Sequence, residues 1–270
     1  MSKIKKKVLT AEVLSNKHVA ADHYLLQLKQ EWLGKHSCPG QFVNVKVEED
    51  TTAPLLRIPL GIHKIEKEGI SLLYKVVGDG TKKLSEKNKG AEIGILGPLG
   101  TGFDLSPLGK KGAEAVLISG GHGIAPLFVL AEEILKKKRK VKFLIGTRTK
   151  EHVLCAAELW EMGAEVYVAT EDGTLGKKGY VTCLLGEHLK GDMKNTTVYS
   201  CGPKPMLAAV SEVAEMYDVP AQVSLDEYMA CGIGACLGCA IKTKSGYKLV
   251  CTDGPVFDSK ELIWEKTPVC

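Results

Sequence analysis

No apolar run in the 270 residues approaches the ~18 needed to cross a bilayer. The basic start Met1-Ser2-Lys3-Ile4-Lys5-Lys6-Lys7 is not followed by the apolar stretch and small-residue cleavage site of a secretory signal. Both absences lead to the expectation of a cytoplasmic chain with no membrane segment. Charge of one sign is scarce too: 36 Lys and Arg against 32 Asp and Glu leave +4, too little to argue for nucleic acid as a partner. No internal repeat, low-complexity tract or collagen-like glycine period is found among the 29 glycines and 11 prolines. With 44% hydrophobic and 25% charged residues, a mainly disordered chain is excluded. The length is generous for one compact domain and comfortable for two small ones.

Cysteine is what the chain has in an unusual arrangement. Nine are present, an odd number, and five of them (Cys38, Cys155, Cys183, Cys201 and Cys270) are scattered singly. The default reading of those single cysteines is a small buried hydrophobe. Cys231, Cys236, Cys239 and Cys251 instead fall close together. In an intracellular chain such a group points to metal rather than to disulfides.

Three regions differ in rhythm. Residues 1–107 read as β: short runs rich in Val, Ile, Leu and Tyr at 7–14, 23–29, 41–47, 70–77 and 91–96 are separated by turn formers such as Cys38-Pro39-Gly40 and Gly78-Asp79-Gly80. This spacing predicts a small closed barrel, with one short helix over 81–89. Residues 108–220 alternate between apolar strands (113–119, 141–146, 165–170, 197–200) and helical patterns (124–138, 151–162, 182–189, 203–217). That alternation predicts a doubly wound parallel sheet. Residues 221–270 are rich in glycine and cysteine with little helical period, and they read as a small domain organised by something other than a hydrophobic core.

The cysteine spacing is Cys231-x4-Cys236-x2-Cys239-x11-Cys251. Four thiolates hold either one structural zinc or an iron–sulfur cluster. Zinc ribbons present two C-x2-C pairs, whereas this chain has one, Cys236 and Cys239, and the C-x4-C-x2-C…C order is that of plant-type [2Fe–2S] loops. Gly232, Gly234 and Gly238 lack a Cβ, so backbone N–H groups can approach the sulfurs.

Residues 119–127 read SGGHGIAPL between a strand and a helix. Glycines there permit close approach of a pyrophosphate to a helix N-terminus, although Pro126 replaces the third glycine of G-x-G-x-x-G, and an ordinary strand–helix turn has the same appearance. A second turn, Cys201-Gly202-Pro203-Lys204-Pro205-Met206, also lies between strand and helix, where its prolines equally mark a helix start. Thr147-Arg148 ends the second strand of this half. Arg148 is either a partner for a ribose 2′-phosphate or a solvated charge, so NAD and NADP stay open.

Barrel, α/β half and cysteine loop, in that order, resemble the ferredoxin–NADP reductase superfamily. The closest resemblance is to the electron transfer subunits of NAD-dependent dihydroorotate dehydrogenase B, carried chiefly by SLDEYMACGIGACLGC at 224–239 and CTDGPVF at 251–257. The resemblance implies FAD between the barrel and the α/β half, NAD on the α/β half, and a [2Fe–2S] cluster on Cys231, Cys236, Cys239 and Cys251. Within the family the flavin motif is R-P-L-S. Here Ile58, Pro59, Leu60 and Gly61 occupy it, so its Arg and Ser are both missing and Arg57 stands one residue early. Leu73, Tyr74 and Lys75 match a strand lining the flavin, and Gly80 and Thr81 match a turn meeting its pyrophosphate; Lys75 also reads as a solvated strand charge. Gly121, His122, Gly123, Ile124 and Ala125, with Cys201 and Gly202, match the nicotinamide nucleotide site.

The implied role is that of an electron relay. Its partner would be an FMN-containing catalytic subunit that oxidises dihydroorotate to orotate in pyrimidine biosynthesis, assembled as two of each subunit, with no general acid or base required on this chain. Related subunits serve ferredoxin–NAD(P) oxidoreductases, sulfide dehydrogenases and bifurcating complexes, and a zinc-bearing, non-enzymatic interaction module is the reading from another class.

Overall fold

The computed structural model describes residues 6–48, 54–110, 112–190 and 193–264. Cys270 and the basic residues 1–5 lie outside them. The first region supplies β1 (Lys7–Ala20), β2 (His23–Lys29), helix α1 (Glu31–His36), β3 (Phe42–Lys46), β4 (Ile58–Glu66), β5 (Gly69–Lys75), helix α2 (Asp79–Ser85) and β6 (Glu92–Leu99). Among the described residues, six strands close into a barrel in the order β1-β2-β5-β4-β3-β6, with every neighbouring pair antiparallel. Alternation along each strand sends one set of side chains inward: Val43 and Val45 of β3, Leu26 and Leu28 of β2, Ile70 and Leu72 of β5 and Ile93 and Ile95 of β6 are all buried in one core.

Strand β4 is absent from the strands that the sequence predicts. It carries Pro59 and Gly61, residues that normally weaken a strand reading, and pairing with β3 and β5 fixes it in place all the same. The short helix also forms two residues earlier than expected, over Asp79–Ser85.

The second region forms β7 (Glu114–Gly120), α3 (Ile124–Lys136), β8 (Lys140–Thr147), α4 (Ala156–Glu161), β9 (Glu165–Thr170), β10 (Lys177–Lys178), α5 (Val181–His188), β11 (Thr196–Cys201) and α6 (Lys204–Met216). The expected helix over 151–162 is shorter, because Cys155 before α4 takes a left-handed conformation (φ +56°). Beyond it come β12 (Ala221–Ser224), the hairpin β13 (Ala240–Thr243) and β14 (Gly246–Leu249), and β15 (Val256–Asp258). The large sheet runs β10-β9-β8-β7-β11-β12-β15. Its pairs are parallel except β12–β15.

Period-two alternation is plain in β7. Ala115 and Leu117 pack with α3 and α4 on one face, and Val116 and Ile118 with α5 and α6 on the other. Helices thus cover both faces, as a doubly wound sheet requires. The cysteine-rich segment departs from expectation in having an apolar core, one it shares with α6 and the barrel. Val250, Phe257 and Leu262 pack with Leu225, with Leu207 of α6 and with Phe42 and Leu99 on the outside of the barrel, and Cys239 and Cys251 are buried among them. Among the described residues, no helix is long and apolar enough to cross a membrane.

Candidate functional site

The four clustered cysteines come together as two pairs. Residues between β12 and β13 form a loop without regular structure, in which Gly232, Gly234 and Leu237 all take positive φ. Those bends turn backbone N–H groups toward sulfur. Ile233 and Cys236 donate to Cys231 Sγ at 3.5 and 3.4 Å, and Gly238 donates to Cys236 Sγ at 3.5 Å. Cys251 donates to Cys239 Sγ at 3.4 Å. The Ile233 N–H, followed by that of Cys236, pulls the Cys231 thiol down to about 6, favouring thiolate. Burial, then the adjacent Cys239, pushes Cys251 up to about 12.

Cys231 is hydrogen-bonded to Cys236, and Cys251 to Cys239. Among the described residues, no three His, Cys, Asp or Glu side chains converge on a single ion position. A structural zinc needs its four sulfurs about 2.3 Å from one point. A [2Fe–2S] group takes two protein ligands on each of two irons. Two pairs of thiols match the ligand count of the binuclear group.

At the carboxyl ends of β7, β8, β9 and β11 lies a cleft of about 790 Å³. Crevices outside the strand C-termini are where ligands bind open α/β sheets. Gly121 and His122 line it from the first turn, Thr147 and Arg148 from the end of β8, and Pro203 and Met206 from the second turn. The two turns are packed on one another. A Cβ on Gly123 would overlap the Cys201 carbonyl oxygen, and one on Gly202 would come within 2.9 Å of Gly120 N. Ile124 and Ala125 are buried in the core with their side chains turned away from the cleft, as is the Cys201 thiol. Burial, then the charge of Asp226, pushes that thiol up to about 12, so Cys201 offers only its backbone. His122 lies 3.5 Å from Asp226, where the cysteine-rich segment begins.

The expected flavin residues line the seam between barrel and α/β half unevenly. Gly61 faces Pro126 of α3 at 3.6 Å measured from where its Cβ would be, ordinary contact that leaves room for a small side chain. Two residues on, His63 Nδ1–H donates to the Ala125 carbonyl at 3.2 Å. Its ring centroid is 4.5 Å from that of Phe128. Leu73 is buried in the core shared with α3, and Lys75 lines the cleft. Tyr74 between them points into the barrel, where its hydroxyl donates to Asn16 at 3.1 Å, so its side chain is turned from the seam. The Thr81 hydroxyl is spent on its own turn, accepting from Val77 N–H and Gly78 N–H. Gly80 packs against Ile58. Arg57 lies just before β4, and its Nη1 is buried without a partner among the described residues. An orphaned guanidinium N–H of this kind fits an anion such as a pyrophosphate.

His23, His152, Glu171 and Tyr180 also line the cleft, and sequence reasoning does not single them out. They are isolated in the chain with no motif around them; the parallel sheet carries His152, Glu171 and Tyr180 to one end, and the barrel brings His23 against it at the start of β2.

The family described as the iron-sulfur cluster binding domain of dihydroorotate dehydrogenase B matches residues 226–263, and the oxidoreductase NAD-binding domain family matches residues 117–212. The dihydroorotate dehydrogenase B (NAD(+)) electron transfer subunit of Desulforamulus reducens is 41% identical over 266 residues, covering 96% of this chain and 99% of the relative. That of Bacillus pumilus is 39% identical over 264 residues, 96% and 98% of the two chains. Among solved structures, an NADH-dependent reduced ferredoxin–NADP oxidoreductase studied for flavin-based electron bifurcation superposes with a TM-score of 0.82 at 29% identity, over 94% of this chain and 90% of that one. A ferredoxin–NADP+ reductase from Neisseria gonorrhoeae, at 18% identity and a TM-score of 0.65 over 78% and 92% of the two chains, shares the fold. With about 40% identity over 96% of its length to such relatives, the chain belongs to the family of electron transfer subunits of dihydroorotate dehydrogenase B (NAD(+)).

Proposed function

We propose that this chain is the relay between a dihydroorotate-oxidising FMN subunit, with which it assembles as two of each in the cytoplasm, and NAD⁺. The observation that carries the reading is the pairing of Cys231 with Cys236 and of Cys239 with Cys251, with backbone N–H groups aimed at three of the four sulfurs. The bound groups supply the redox chemistry, FAD converting between two-electron hydride transfer and the single electrons carried by [2Fe–2S]. The chain's own residues bind and orient. Gly121, open on its Cβ side, lets the nucleotide phosphates approach backbone at the start of α3, a helix of 13 residues, while Gly123 and Gly202 let the two turns pack closely beneath it. Lys75 brings a positive charge to the same cleft, and Arg57 supplies the unpaired guanidinium N–H at the barrel. No side chain is required to move a proton.

The test is a visible spectrum of anaerobically purified protein, with flavin extracted and iron and sulfide counted. The expected result is one FAD, two irons and two sulfides per chain. Colourless protein carrying only zinc would overturn the reading.

Ile58 and Gly61 set this chain apart from the R-P-L-S motif, and its likeness to the ferredoxin–NADP oxidoreductase structure supports a second reading with another electron donor. Dihydroorotate-dependent NADH formation by a co-purified FMN subunit separates the two. Because Gly61 has room for a side chain, Gly61→Ser is expected to tighten FAD binding about three- to tenfold, the value of one added hydrogen bond. Flavin release followed by fluorescence measures it.

A further inference from the structure

Asn44, on β3, is completely buried, yet neither Nδ2 nor Oδ1 has a hydrogen-bond partner. Val43 and Val45 on either side point into the barrel core, so alternation turns Asn44 outward with Phe42. Phe42 in turn packs in the core that contains Cys239 and Cys251. Across the sheet, Asn44 is flanked by Pro59 of β4 and Leu96 of β6. Over it lies Gly232, between Cys231 and Ile233. A Cβ on Gly232 would overlap Asn44 Nδ2 and sit 3.1 Å from Leu99 Cδ1. Among the described residues none of these neighbours hydrogen-bonds the amide, and the proline has no N–H to give.

A buried carboxamide with both ends unused is expensive, and leucine has the same branched outline without that cost. The amide is thus matched to a partner that the polypeptide does not itself provide. It lies beside the backbone of Gly232, next to a cluster ligand, and its cross-strand neighbour Pro59 belongs to the flavin motif.

Building on the cluster reading above, we propose that Asn44 is a positioning residue for the iron–sulfur group, its Nδ2–H donating to a sulfur held by the Cys231 loop. Gly232 is glycine because any side chain would displace that donor. A hydrogen bond to cluster sulfur favours the more negative, reduced state, so the amide raises the potential of the group. Asn44 also ties the flavin-motif strand to the cluster loop by direct contact.

The experiment uses the full chain in complex with its partner subunit, as wild type and as Asn44→Leu. Asn44→Leu is expected to lower the cluster midpoint potential by roughly 59 mV, a tenfold shift in a one-electron equilibrium. FAD content should stay at the wild-type value, and cluster-free Asn44→Leu should melt no lower than cluster-free wild type. As a second measurement, pulsed EPR of reduced wild type made with ¹⁵N-labelled asparagine is expected to show a weak nitrogen coupling that disappears in Asn44→Leu. An unmoved potential with no ¹⁵N coupling would reduce Asn44 to packing and overturn the proposal. Loss of FAD with an unchanged cluster signal would assign the amide to the flavin instead and overturn it equally. Wild type without iron and sulfide would show that the cluster reading itself had failed, a result distinct from both.

Discussion

Cys251→Ser is expected to take iron and sulfide from two each per chain to well under one, and to cut dihydroorotate-linked NADH formation at least about 100-fold. Cys251 is fully buried, with Phe42, Leu99 and Val250 in the core around it, and it pairs with Cys239. Residues that merely support a metal ligand are worth roughly 10- to 100-fold in metal affinity, so loss of a ligand exceeds that. Serine oxygen is a harder and shorter donor than thiolate, and Cys251 is the cysteine that pairs with Cys239 among the described residues. The flavin site is built from other residues, so FAD should remain and NADH oxidation by an artificial acceptor such as ferricyanide should persist. Cys155→Ser is the control, because Cys155 precedes α4 in the α/β half, outside the cysteine loop, and the exchange changes only sulfur to oxygen. Its iron content should equal that of wild type. Full iron in Cys251→Ser would remove Cys251 from the ligand set.

Acid is expected to loosen the seam between barrel and α/β half through His63. Burial, partly offset by the Ala125 carbonyl and reinforced by Lys64, lowers its pKa from 6.5 to about 4. The folded state therefore holds His63 neutral, whereas the unfolded chain takes up a proton below pH 6.5. Stability from this group is intact above pH 6.5 and is lost as pH falls toward 4, reaching about 3 kcal/mol in total and about 2 kcal/mol by pH 5. Phe128 and Ala125 of α3 are its contacts, so the loss falls on the joint that positions the nucleotide turn against the flavin strand. Urea unfolding at pH 7.5 and pH 5 measures it. His63→Gln keeps a donor for Ala125 and cannot become charged, so its stability should change between the two pH values by about 2 kcal/mol less than wild type. Equal changes in the two proteins would show that His63 does not control acid sensitivity.

Features written in contiguous residues are legible in the chain itself. The strand–helix alternation over 108–220 corresponds to the doubly wound sheet, and the cysteine spacing points to four thiols whose pairing only the folded loop displays. Local periodicity and short-range spacing carry such features, because each depends on residues within one or two elements. The residues matched to the nucleotide turn do lie between a strand and a helix, but the fold divides them: Gly121 and His122 face the cleft, while the Ile124, Ala125 and Cys201 side chains belong to the core.

Local sequence sets the class of the protein: three regions in order, the residue types at the glycine turns, and four thiols at an iron–sulfur spacing. Long-range packing sets how they combine. Tyr74 and Lys75 are adjacent in sequence, yet the pleat sends one into the barrel and the other to the cleft. Strand β4, with Pro59 and Gly61, reads as a strand only once two partner strands hold it. Glu171 and Tyr180 line one cleft because parallel strands bring distant carboxyl ends together, His23 joins them because the barrel packs against that end, and Asn44 meets Gly232 because the cysteine loop packs on the outside of the barrel. Such contacts span the length of the chain, and no local propensity encodes them; they follow from which apolar faces must be buried against each other.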